Sequence, residues 1–475
     1  MPFPLSNSSS SAPAYVVAII GGGCAGTLVA SQLLRQAWGP ARILVIERGA
    51  AIGRGVAYGT DFNEHRLNVP AARMSALPED PKHFLNWARE RVKHLGFPDT
   101  VDGNDFLPRW MYGRYLEFVL EESKGLAPPD VVLEIVHGEA VDLAETPAGK
   151  TITLADGRSL VVSAVVLALG LLPGEYPIRR PLPIYHSPRY LHSPLLPTAL
   201  SGVEKQDDIL IVGAGLTAVD IILQCRLLGH RGVIHALSRR GIKPIAHSAP
   251  AEPYPPFLRA DALPVTVHAA MTLIRAELAS AAARGIDWRP VLDSIRPVSA
   301  ALWEGFSWAE RARFLRHVRP FWEAHRHRIA PATAAIIASV QQEGRLKFHA
   351  GRLISLRESA GRVAAVLKVR GEERFEALSV AKVINCTGPR SDYSKYQHPL
   401  LVNLLAAGLI GHDPLALGID ALPTGQVLRY GTRNPVDGLF TLGATLKGVL
   451  WESTAVPEIR VQARQLAEHL CSDSS

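Results

Sequence analysis

Cysteine is scarce in this chain: four among 475 residues, Cys24, Cys225, Cys386 and Cys471, far apart and in no CxxC or CxxxxC spacing. That excludes a zinc site of the usual spacing and a local redox-active disulfide, so no metal is expected, and reduced thiols in a cytoplasmic setting are the simplest account. Long apolar runs are missing too. The longest, Leu160 to Leu172, is shorter than the about 20 residues of a membrane span and contains Ser163 and Gly170. Met1 to Ala14 is rich in Ser and Pro, has neither the basic nor the apolar region of a secretory signal, and reads as a loose tail. Charge is nearly balanced at +7, with no basic stripe carrying interleaved aromatics, which favours acidic small molecules and gives no case for nucleic acid.

What is present is a well-buried composition, 47% apolar, on a chain too long for one core, so two or three domains are expected. The stretch that organises them is Val16 to Gly26, five apolar residues running into Gly21-Gly22-Gly23-Cys24-Ala25-Gly26. This is the strand, phosphate turn and helix of a dinucleotide site: Gly21 allows the tight turn, Gly23 lets the backbone approach a pyrophosphate, and Gly26 lets helix and strand pack closely. The helix N-terminus then faces the phosphates. Arg42 to Ile46 supplies a second buried strand and delivers Glu47 to its end, where a carboxylate holds the two hydroxyls of an adenosine ribose.

The chain continues with Gly53-Arg54-Gly55, a loop able to follow the cofactor, and with Asn68, which offers an amide to a ring or simply turns the chain. Pro81 to Lys124 reads as a helical insertion. From Val131 to Leu143 the period is two, then Thr151 to Leu154, a turn at Asp156-Gly157, and Leu160 to Leu169 ending at Gly170. The same sequence of elements returns in Arg345 to Leu356, Arg362 to Val369 and Phe375 to Asn385, ending at Gly388.

The second half opens with its own fingerprint. Ile209 to Val212 runs into Gly213-Ala214-Gly215-Leu216-Thr217-Ala218, a GxGxxA turn before an apolar helix. At the end of the next strand the acidic residue is replaced by Ser238-Arg239-Arg240, which suits a 2′-phosphate and favours NADPH over NADH. Between Pro250 and Gln342 lies a second helical insertion, holding four of the eight tryptophans and an Arg- and His-dense stretch from Arg311 to Arg328. That stretch reads as a solvated or partner-facing helix, with a lesser option that some of its cations meet an anionic substrate. Gly443 ends a late strand, and Pro457 opens a last helix whose positive end suits negative charge on a cofactor bound at the first turn.

The expected architecture is α/β: two dinucleotide-binding, Rossmann-like domains, the second inserted into the first, with helical insertions. Its expected boundaries are 15–200 and 389–475 for an FAD-binding domain and 201–388 for an NAD(P)H-binding domain, with the insertion at about 250–342. Two such sites are most economically filled by FAD and by NADPH or NADH. Lacking paired cysteines for disulfide chemistry, the chain is expected to use oxygen on a small-molecule substrate. No nucleophile or acid/base pair stands out, so no catalytic residue is assigned.

The glycine turn, GRGVAYGT, LNVPAARM, IVGAGLTAVD, SRRG, RPFWEAHRHRIAP, VINCTGP and GVLWESTAVPEIRVQA together resemble the FAD/NAD(P)-binding proteins grouped with bacterial flavin-dependent urate hydroxylase and with the aspartate N-monooxygenase that makes nitrosuccinate. Tyr185-His186-Ser187-Pro188-Arg189-Tyr190 is similar to a short segment of two-domain monooxygenases. One departure stands out: the Gly-Asp usual at the late flavin contact reads Gly443-Ala444. The resemblance implies a flavin monooxygenase, and chain length favours urate hydroxylation to 5-hydroxyisourate as its reaction. N-hydroxylation of an amine or amino acid, and a non-catalytic flavin-binding sensor or assembly protein, are the alternatives.

Overall fold

The computed structural model describes residues 15–473, except 37, 96–99, 148, 195–198 and 250. The expected N-terminal tail lies outside the described residues. Two open sheets dominate. In the first, the order is Gln426–Leu428, Pro435–Thr441, Ala164–Leu167, Tyr15–Ile20, Ala41–Glu47 and Val131–His137, all neighbours parallel except the antiparallel edge pair Gln426–Leu428 with Pro435–Thr441. The central strands are apolar throughout because both faces are covered. Along Tyr15–Ile20, Val17 and Ile19 pack under helix Cys24–Arg35 with Leu28, Leu33, Tyr112 and Leu466, while Ala18 and Ile20 meet Leu143, Ile152 and Leu400 on the other face. Each such fully buried aliphatic side chain contributes about 1.5–3 kcal/mol.

The second sheet runs Phe375–Val380, Arg362–Val369, Leu346–Ser359, Ile234–Ser238, Ile209–Val212, Lys382–Asn385 and Tyr190–Leu191. All its strands fall, in sequence, between Ala164–Leu167 and Gln426–Leu428 of the first sheet, so the second Rossmann-like unit is inserted into the first. Leu346–Ser359 serves two sheets' worth of pairing: its start lies parallel to Ile234–Ser238, and from Gly351 it pairs antiparallel with Arg362–Val369.

Three expected strands are each two: Leu160 to Leu169 divides at Ser163 between the three-stranded and the first sheet, Phe375 to Asn385 divides at Ala381 into two strands of the second sheet, and the third divides at a glycine. The period-two run from Val131 to Leu143 breaks after His137, where Gly138 donates its N–H to Glu47 O, and Ala140–Thr146 turns away into a separate antiparallel sheet with Gly149–Leu154 and Ser159–Val162. A glycine in an otherwise alternating run marks the corner.

Between the second sheet's strands stand the helices Val267–Ala283, Trp288–Asp293, Ser299–Gly305, Trp308–His317 and Arg319–Arg326, three of them capped by Thr266, Asp287 and Ser307 side chains. Helix Pro331–Gln342 behaves differently: Ile337 and Val340 pack with Ile222 and Ile211 beneath the sheet, as the crossover into Leu346–Ser359. His325 lies in the last turn of helix Arg319–Arg326 and His327 just beyond its end, so the two are not on one helix face. Among the described residues no helix is long and apolar enough to cross a membrane.

Candidate functional site

The two glycine turns are built alike, bond for bond. Gly21 donates to Ile46 O at 2.9 Å and Gly213 to Leu237 O at 2.8 Å; Ala168 donates to Ile20 O at 3.0 Å and Cys386 to Val212 O at 2.8 Å. Gly21 has φ +108° and a Cβ there would lie 2.4 Å from Ala168 O; Gly213 has φ +125° and a Cβ would lie 2.0 Å from Cys386 O. In both units the first glycine is therefore required by the neighbouring strand end. The third-position residues differ in kind: a Cβ on Gly26 would sit 1.9 Å from Gly21 O, whereas Ala218 already fills that place, buried.

The middle glycines face open space. A Cβ on Gly23 would meet only Gly55 Cα, at 3.6 Å, and one on Gly215 would meet nothing within 4 Å. Each is the N-cap of its helix, Cys24–Arg35 or Leu216–Leu227, and neither helix start has a side-chain cap. Protein packing does not explain glycine at these two positions, and the helix N–H groups point where a phosphate would accept from them. These residues fit a dinucleotide pyrophosphate at each turn.

Around the first turn, Glu47 accepts from Gly22 N at 2.7 Å through one oxygen and from Gly49 N at 2.6 Å through the other, which fixes the carboxylate at the strand end. Gly55 stacks on the turn, and Arg54 beside it is held by Glu117, Nε to Oε1 2.6 Å, so that its guanidinium is already paired. Asn68 uses its backbone carbonyl to accept from His247 Nε2 at 3.1 Å. Gly170 and Gly388 occupy matching left-handed positions, φ +67° and +88°, after the two strand ends, and Gly170 O accepts from Tyr393 OH. Gly443 N donates to Gln462 Oε1 at 2.9 Å, so a glutamine from the last helix engages the backbone just before Ala444.

At the second turn, Thr217 lies in the first turn of helix Leu216–Leu227, and Ser238, Arg239 and Arg240 follow strand Ile234–Ser238. The arginines are not equivalent. Arg240 donates to Arg316 O at 2.8 Å and covers the Phe321 ring, which ties it to the insertion, while Arg239 is exposed and carries Arg370 Nη1 on its backbone carbonyl. Arg370, in a hairpin turn more than a hundred residues downstream, is a cation the sequence reading missed.

Most of the cations in the Arg-dense stretch are committed to protein partners, while Arg313, Arg316 and His317 stay exposed, as on a solvated helix face. Arg326 pairs with Glu452, Arg328 with Asp293, Arg319 with Glu323, and Arg311 donates to the carbonyls of Trp303 and Phe306. Trp303 Nε1 donates to Gly448 O at 2.9 Å and its ring lies 4.8 Å from that of Trp451, while Lys447 reaches Glu323 at 3.7 Å. Lys447, Gly448 and Trp451 thus fasten the insertion to the loop before the last helix. Burial lowers the Lys447 ammonium below the ordinary lysine range.

Burial pushes Cys24 and Cys225 up to about 12, and all four cysteines are free. Among the described residues no group of three or more His, Cys, Asp or Glu side chains converges on a metal position.

Fold and turns together define an α/β chain with two dinucleotide sites. Residues 18–172 match the family described as FAD-NAD(P)-binding, so FAD and NAD(P)H are its cofactors. Over 99 residues the chain is 43% identical to the nitrosuccinic acid synthase of Aspergillus oryzae, a match that spans 20% of this chain and 14% of that longer protein. Among solved structures it is similar to the ornithine N-hydroxylase of Kutzneria sp. 744, TM-score 0.69 at 15% identity over 98% of this chain and 100% of that one. It is also similar to the L-lysine 6-monooxygenase of Pseudomonas syringae, TM-score 0.63 at 15% identity over 96% and 99%. At that identity the likeness is one of fold.

Proposed function

We propose that this chain is an FAD- and NADPH-dependent monooxygenase that hydroxylates the nitrogen of a small amine or amino acid. The observation that carries the reading is the pair of turns with open middle glycines, Gly23 and Gly215, the first turn bonded to Glu47 and the second to Leu237, two residues before Arg239. In this reading Gly21, Gly23, Gly26 and Glu47 hold FAD, with Arg54, Asn68, Gly170 and Gly443 lining its length. Gly213, Gly215, Thr217, Ser238, Arg239, Arg240 and Gly388 line the NADPH site. Bound together, the two cofactors supply hydride transfer and oxygen activation. The protein supplies binding and orientation: helix N-termini for the phosphates, a carboxylate for the ribose and guanidiniums for the 2′-phosphate.

The local match to nitrosuccinic acid synthase and the folds shared with ornithine and lysine hydroxylases support nitrogen as the site of oxidation. Hydroxylation of urate, the first expectation from chain length, draws no support from them and from no feature of the site. A purely structural flavin leaves the second turn without a purpose.

The test is NADPH oxidation by the FAD-loaded protein under air, with aspartate, ornithine, lysine, urate or nothing added, following peroxide and hydroxylamine. Amine-stimulated oxidation with hydroxylamine formed and little peroxide is the expected result. Urate-stimulated oxidation, or peroxide formation indifferent to every amine, overturns it.

A further inference from the structure

We infer that Asp220, Arg109 and His65 form a latch between the two nucleotide units, and that this latch sets the alignment of NADPH against the flavin. The inference rests on the flavoprotein reading above.

Asp220 lies on helix Leu216–Leu227, the helix that starts at the second glycine turn, so any displacement of Asp220 moves the cradle of the second nucleotide. Its side chain is 4% exposed and pairs with Arg109, Nη1 to Oδ2 2.6 Å. Arg109 belongs to the other unit. It opens helix Arg109–Leu126, its backbone N donates to His65 O at 2.8 Å, and its Nε donates to Arg66 O at 3.1 Å. His65, itself buried, closes the triangle: Nε2 bonds the backbone carbonyl of Asp220 at 3.2 Å, and Nδ1 meets Thr60 Oγ1 at 2.7 Å. The carbonyl of Asp220 is therefore held by His65 of the loop that runs from Thr60 to Asn68, and its carboxylate by Arg109, which is itself bonded to that loop.

A second fastening lies along the same seam. His247, from the second unit, donates through Nε2 to Asn68 O and packs its ring 4.8 Å from Phe106. The cleft between the two fastenings is lined by Arg66, Asn68, Arg109, Leu216, Asp220 and Thr333, residues of both units.

The chain crosses between the units twice, and these crossings bond each other where Leu172 and Arg390 form a bridge. A paired crossing restrains separation and leaves rotation free unless side chains elsewhere resist it. Arg109 and Asp220 belong to elements other than the crossings, and they join the loop approaching Asn68 to the helix cradling the second nucleotide. Hydride transfer needs its donor carbon and the flavin's acceptor nitrogen aligned at near contact, and a misplacement of about 1 Å lowers such a rate by as much as 100-fold. The three are positioning residues.

The experiment is anaerobic stopped-flow reduction of FAD-loaded protein by saturating NADPH, for wild type, Asp220→Asn, Arg109→Gln, the double variant and His65→Ala. Alongside are flavin content, NADP+ affinity, and the long-wavelength charge-transfer absorbance of reduced enzyme with NADP+. Expected are a fall in the limiting reduction rate of at least about tenfold per bound flavin, loss of the charge-transfer band, unchanged NADP+ affinity, and a double variant no slower than the slower single one. An unchanged limiting rate in Asp220→Asn and Arg109→Gln, or losses that simply add, overturns the latch. If Asp220→Asn loses flavin, the rate is read from Arg109→Gln and His65→Ala, and a normal rate there overturns it too. Failure of the wild type itself to be reduced by NADPH overturns the flavoprotein reading instead.

Discussion

Arg296 grips Glu458 with both arms of its guanidinium, Nε and Nη2 each 2.8 Å from a carboxylate oxygen. The pair joins the helical insertion to the first turn of the last helix, Val456–Asp473, where an acidic side chain also complements the helix dipole. Burial raises the Glu458 carboxyl above the ordinary glutamate range, and Arg296 opposes that rise. A raised carboxyl favours the folded state less and less as pH climbs from the unfolded pKa through the folded one. Removing Arg296 enlarges the penalty only where Glu458 is ionised. Arg296→Gln is expected to destabilise by about 2 kcal/mol at pH 8 and by less at pH 5, read as the fall in Tm at each pH; an equal fall at both contradicts the pairing.

Two glycines of the first turn separate binding from folding. Gly23→Val places its side chain where only Gly55 Cα stands nearby, so the apo-protein is expected to keep its Tm and to lose FAD on gel filtration. Gly26→Ala drives a methyl onto Gly21 O and is expected to cost several kcal/mol of stability before any cofactor is considered. Circular dichroism melts with and without added FAD distinguish the two.

The arginines after strand Ile234–Ser238 are expected to diverge in the same way. Arg239→Ala removes an exposed, uncommitted guanidinium and raises KM for NADPH about tenfold or more while leaving NADH nearly unaffected, as the loss of a charge-assisted contact predicts. Arg240→Ala releases Phe321 and Arg316 and shows itself chiefly in Tm. Equal effects of Arg239→Ala on the two nucleotides remove the 2′-phosphate assignment.

Thiol chemistry supplies a fourth check. With Cys24 and Cys225 pushed up to about 12, almost no thiolate exists at pH 8. Iodoacetamide at that pH is expected to leave both unmodified in the native protein and to label them in urea, by mass spectrometry of the peptides. Rapid native labelling of Cys24 reopens a thiol role beside the first turn.

Both turns and the strand ends facing them were readable from sequence because each is a local pattern: five apolar residues, a glycine spacing, a charge at the next strand's end. The insertion's arginines were not. Arg326 and Arg296 find their acceptors at Glu452 and Glu458, well over a hundred residues away, and an Arg-rich helix looks solvated until those partners are placed. The same distance hid Arg109 and Asp220. Asp220 did leave a trace, an acidic residue inside the otherwise apolar helix that follows Ile209–Val212, and a buried charge there demands a partner from outside the helix. The split of Val131 to Leu143 was signalled only by Gly138, whose role as a corner depends on Glu47 lying beside it.

The order in which the first sheet is assembled has a consequence for synthesis. Strand Ala164–Leu167 leaves the ribosome long before Pro435–Thr441, its parallel neighbour, and helix Cys24–Arg35 waits for Val456–Asp473 to cover it. The inserted unit has all its strands in hand by Asn385. It is therefore positioned to fold first while the earlier half stands with an open edge, and the first glycine turn acquires its finished surroundings only when the last helix docks.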